Sequence, residues 1–88
     1  MSEPLNPRVR AALLEVVETQ LRDGTPPETR TTLDRLIAAG YTRERATELI
    51  ACVVLVEAND VLKTRRPFHE TRYVNALRAL PQLPGDDR

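Results

Sequence analysis

The stretch RERATELIACVVLVEANDVLK, residues 43–63, decides the fold. Ala46, Leu49, Ile50, Val53, Leu55, Val56, Val61 and Leu62 are apolar, and from Leu49 to Val56 no polar side chain intervenes. The β-branched Val53, Val54 and Val56 would suit a buried strand. The flanks decide against it: Glu44 to Glu48 and Glu57 to Lys63 continue the pattern with good helix formers and no turn signal. The stretch is therefore expected to form a helix about 30 Å long at 1.5 Å per residue. A helix that is apolar all round is surrounded by protein, so this one is expected at the centre of the molecule.

Working outward, Tyr41-Thr42 starts that helix, with Thr42 as N-cap and Tyr41 placed to staple onto Ala46. Gly40 stops a preceding helix over 27–39, whose buried stripe is Leu33, Leu36 and Ile37. Thr25-Pro26-Pro27-Glu28 reads as its start, with Thr25 as N-cap and Glu28 closing a capping box. A first helix over 7–22 opens with Asn6-Pro7 and closes at Asp23-Gly24, Gly24 supplying the left-handed residue past the last turn. It is expected to bury Val9, Leu13, Val16, Val17 and Leu21. Downstream, Arg66-Pro67 ends the long helix, because the residue before proline is pushed out of helical conformation. Phe68 is expected to anchor the turn. A fourth helix over 70–80 buries Tyr73, Val74, Leu77 and Leu80 before Pro81. The expectation is all-α: a compact four-helix bundle in one domain over 1–88, ordered over about 6–81 with frayed ends.

The 88 residues include one Cys, one His, one Ser and three Gly. That inventory excludes an intrachain disulfide, a Cys/His zinc site and a glycine-rich phosphate loop. Thirteen basic residues balance thirteen acidic ones, so no global field favours nucleic acid or an acidic membrane. The longest apolar run, 49–56, is far short of the roughly twenty residues of a membrane span. The opening Met-Ser-Glu-Pro lacks the pattern of a secretory signal, and the expectation is a cytoplasmic protein with Cys52 reduced.

Four groups of residues could carry chemistry. Cys52 sits mid-helix among apolar neighbours, where core packing outweighs a reactive thiol. His69 begins the fourth helix, where it fits a capping role better than catalysis. Glu44 and Glu48 share a helix face at i,i+4, and Glu18 could approach them from the first helix, which would form an all-oxygen site for a hard cation. Against this, negative charge is favourable at a helix N-terminus, and Arg10, Arg43 and Arg45 are at hand to pair with it. Finally, Lys63, Arg65, Arg66, Arg72 and Arg78 stand against Glu70 alone in residues 61–80. Arg65, Arg66, Arg72 and Arg78 are the candidate surface for an acidic partner or weak nucleic-acid binding. The Gly40 turn with Arg43 and Arg45 beyond it resembles a helix–turn–helix, but the second helix lacks the polar face of a reader.

Asn6-Pro7, Glu18-Thr19-Gln20, Pro26-Pro27, Gly40-Tyr41-Thr42-Arg43 and Ala46 together resemble a bacterial family of small helical domains of unknown function, over about residues 6–55. The resemblance implies a metal site between the first and third helices, built on histidines at the positions of Arg10, Leu14, Glu44 and Glu48. All four are changed here, and Glu18 alone matches in kind. An arginine at a ligand position repels a cation and instead favours an Arg10–carboxylate pair.

Taken together, the residues point to a protein without catalytic activity or cofactor, acting as a protein–protein interaction or homodimerisation module. Three shorter helices must then cover a long apolar one on all sides. Any face left over is then an interface with a second copy.

Overall fold

The computed structural model describes residues 6–83. It contains four α-helices: α1 (Pro7–Asp23), α2 (Pro27–Ala38), α3 (Arg43–Thr64) and α4 (Glu70–Ala79). No strand occurs among the described residues. The long apolar stretch is helical, and it is the hub: α3 packs against α1, α2 and α4. Fraying is expected over residues 1–4 and 82–88, but the Gln82 N–H meets the Ala79 carbonyl and Leu83 packs against the core; residues 1–5 and 84–88 lie outside the described residues.

Most helix boundaries follow from local chemistry. The Asn6 side chain accepts the Arg8 N–H at 2.8 Å, and Pro7 follows it. Gly24 adopts φ 71° and returns its N–H to the Gln20 carbonyl, which closes α1. Thr42 Oγ1 accepts the Arg45 N–H at 3.0 Å and starts α3. The capping box at Thr25 does not form. Pro26, itself extended, takes the N-cap position, α2 begins at Pro27, and no side chain caps it. Thr25 turns back instead, its hydroxyl 3.5 Å from the Asp23 carbonyl. At its far end α3 runs to Thr64 and is closed by Arg65, a left-handed residue with φ 60° whose N–H meets the Val61 carbonyl.

The core gathers Val17 and Leu21 of α1, Leu33 and Leu36 of α2, Ile50 and Val53 of α3, and Tyr73 and Leu77 of α4, with Leu80 beyond it. Several residues expected inside are not. Val9, Val16 and Ile37 are exposed, and so is Phe68, although its ring lies 5.7 Å from that of Tyr73. The larger correction concerns α3. It is not covered all round: Ala46, Leu49, Ile50 and Val53 are buried, whereas Cys52 and Leu55 are half-buried and Val56 and Leu62 are exposed. The reason is geometric. Helices of 17, 12 and 10 residues wrap one side of a 22-residue rod and leave its outer side to solvent.

Polar contacts hidden from the periodicity tie these helices together. Gln20 Oε1 of α1 accepts hydrogen bonds from Thr29 of α2 and from the Tyr73 hydroxyl of α4, both at 2.8 Å. Arg35 of α2 donates to the carbonyls of Leu77 and Leu80 at 3.0 and 2.8 Å, satisfying the open end of α4. Glu57 is 5% exposed and accepts from Arg72 Nε at 3.0 Å, while Arg72 Nη2 reaches Asp60 at 2.7 Å.

Candidate functional site

The first candidate is the carboxylate group at the α1–α3 junction. The start of α3 brings Glu44 and Glu48 to a shallow groove that Glu18, Arg10 and Arg43 also line. Each carboxylate but one is already engaged. Arg43 holds Glu18 with both terminal nitrogens, at 3.0 and 3.2 Å. Glu48 accepts from Arg10 on one oxygen and from Arg45, at 3.3 Å, on the other. The Arg43 hydrogen bond holds the Glu18 carboxyl below its usual range, and Arg10 does the same for Glu48. Arg43 in turn is held more firmly protonated by Glu18. Glu44 alone has no ion pair.

Among the described residues, no three acidic, histidine or cysteine side chains come together as a metal cluster. Glu18 and Glu48 are neutralised by arginines, and Glu44 stands beside them without a second free carboxylate. The positions that the family resemblance marks for ligands at 10 and 48 are joined instead by the Arg10–Glu48 pair.

The basic end is less uniform than its sequence implies. Arg65, Arg66 and Arg78 are exposed, and none makes an ion pair among the described residues. Arg72 is committed inward to Glu57 and Asp60, so it leaves the set of residues available to an acidic partner. His69 caps α4, its Nδ1 accepting the Arg72 N–H at 3.4 Å. The cap by His69 follows from its place at the start of α4, whereas the commitment of Arg72 depends on Glu57 and Asp60, too far away in sequence to be read from spacing.

The third surface is the outer side of α3. Glu48, Cys52, Leu55, Asn59 and Leu62 recur at alternating steps of four and three residues, the spacing of a helix–helix seam, with Val56 beside them. Leu62 is 76% exposed, the most exposed large hydrophobic side chain of the described residues. At the other end of this face, a groove of about 290 Å³ is floored by Leu13, Leu14, Ala51 and Cys52, and rimmed by Arg10, Arg45 and Glu48. An apolar knob and an apolar groove thus lie on one face of one helix.

No family model, curated protein or solved structure matches the chain. The surface itself is what bears on function. The seam could have been found in the sequence: its four–three spacing is printed there, overlaid on the apolar residues that face the core. The burial pattern separates the two sets. No helix of the described residues is long and apolar enough to cross a membrane.

Proposed function

We propose that this chain is a non-catalytic protein–protein interaction module that binds through the outer face of α3. The observation that carries the reading is the outer row of the central helix, where Val56 and Leu62 are exposed and Cys52 and Leu55 are half-buried. Apolar side chains left bare in a row mark a surface whose burial has been left to a partner. Burying a side chain such as leucine is worth about 1.5–3 kcal/mol. The side chains best suited to chemistry are meanwhile used for structure: His69 caps a helix, and Glu18 and Glu48 are paired with arginines. A lone thiol suits a reducing cytoplasm, which is where we place the protein.

The test is photo-crosslinking in living cells. A photoreactive residue at position 56 or 62 gives discrete protein adducts, while the same residue at exposed position 34 on α2 gives none. Absence of discrete adducts from both α3 positions overturns the reading.

A further inference from the structure

We infer that the occupant of this face is a second copy of the chain, docked antiparallel so that Leu62 of each copy enters the groove beside Cys52 of the other. The inference rests on the reading of α3 as a docking surface and adds the identity and orientation of what docks.

Glu48, Leu55 and Leu62 are seven residues apart and so form one row along α3. Glu48 rims the groove, which places groove and knob on the same flank of the face, ten residues or about 15 Å apart along the axis. A two-fold axis parallel to α3 brings equal levels together and sends each flank to the opposite side. Each Leu62 would then face level 62 of the copy, ten residues from the groove, and neither groove would receive it. A two-fold axis perpendicular to α3, at the level of residue 57, keeps each flank on its own side and reverses the direction. Each Leu62 then arrives at the level of Cys52 on the flank that holds the groove, and this happens twice per dimer. Leu55 comes to the level of Asn59 of the second copy, so the seam closes along its length.

Charge favours the same orientation. Lys63, Arg65 and Arg66, at the end of α3, have no ion pair among the described residues, and a parallel pair would gather six such cations at one end. The antiparallel pair separates them. It brings Lys63 toward the end of the second copy where Glu44 has no ion pair among the described residues, Glu48 there being held already by Arg10 and Arg45. The helix dipoles also oppose each other in this arrangement.

Sedimentation equilibrium of the wild-type chain at about 100 µM, where a micromolar interface is saturated, should give the dimer mass. Leu62→Ala should raise the dissociation constant at least about tenfold, as loss of a central anchor does. Orientation is read by mild diamide oxidation. Leu62→Cys should trap a disulfide-linked dimer through native Cys52 of the other copy. Wild type should not, because its two Cys52 residues lie about 15 Å apart along the axis, beyond the roughly 7 Å Cα separation a disulfide spans. A wild-type dimer that crosslinks through Cys52 overturns the antiparallel arrangement. A monomer at that concentration overturns the second copy as occupant. If positions 56 and 62 still give adducts in cells, that monomer leaves the docking face itself standing; if they give none, the proposed function fails with it.

Discussion

Gln20 is the side chain whose loss should be most informative about how the bundle is held together. Its Oε1 is the shared acceptor for Thr29 and Tyr73, so one amide joins α1, α2 and α4. Thr29 is fully buried and Tyr73 is 1% exposed, which leaves neither hydroxyl a route to bulk water. Gln20→Leu keeps the volume and removes the acceptor. Without the amide, the Thr29 and Tyr73 hydroxyls lose their shared acceptor. An orphaned buried donor costs about 1–3 kcal/mol. Tyr73→Phe removes one donor from an acceptor that keeps its bond to Thr29, at a cost of about 0.5–1.5 kcal/mol. In the double variant the Gln20–Tyr73 bond is lost only once, so the combined loss should fall short of the sum by about 1 kcal/mol. Urea unfolding of the four proteins measures this, and melting temperature provides a check at about 4–8 °C per kcal/mol for a domain of this size. Additivity within about 0.3 kcal/mol would refute the shared-acceptor geometry.

Other expectations follow from the same contacts. Burial pushes the Tyr73 phenol above its ordinary value of about 10. Stability should therefore be complete below that pH and fall above it, where the unfolded chain ionises first; Tyr73→Phe should remove this part of an alkaline unfolding curve. Glu18 and Glu48 are shifted the other way by Arg43 and Arg10. Their contribution is present above about pH 4.3 and is lost as pH falls through the lower folded values. Glu18→Gln/Glu48→Gln should flatten that part of the acid limb, by no more than about 1 kcal/mol because both pairs are solvent-screened. Leu36→Ala should cost about 2–5 kcal/mol in chemical unfolding, whereas Ile37→Ser next to it should cost about 0.5 kcal/mol, since only the first faces the core. A thermal-shift series with Mg²⁺, Mn²⁺ and Zn²⁺ should be flat, because both oxygens of Glu18 and of Glu48 already hold guanidinium groups. A saturable rise in melting temperature would contradict that pairing.

Helix type and most helix ends were legible in the sequence because their causes are local. Asn6, Gly24, Thr42 and Pro81 act within a turn of where they stand, and the flanks of the 49–56 run argued for a helix over a strand. Coverage was not legible. Val16, Ile37 and Leu62 carry the same hydrophobicity as Val17, Leu36 and Leu49, yet the first three are exposed and the others buried. Hydrophobicity states the cost of leaving a side chain in water; whether a neighbour reaches it depends on the lengths and crossing of other helices. Polar residues misled in the opposite sense. Gln20, Thr29 and Glu57 were given no structural role by the periodicity, yet each meets its partner through tertiary structure, with Tyr73 arriving 53 residues after Gln20. Among the candidate site residues, the arginine pairing of Glu18 and Glu48 was foreseeable from the arginines one turn away and across the junction. The inward commitment of Arg72 was not, because Glu57 lies on a different helix.

The central claim, that the bare side of α3 serves association and not stability, is tested most directly by Val56→Glu/Leu62→Glu. The account predicts a variant that melts with the wild-type protein when both are dilute, yet no longer forms the dimer in sedimentation at high concentration. A variant that unfolds, or one that associates as tightly as wild type, would contradict it.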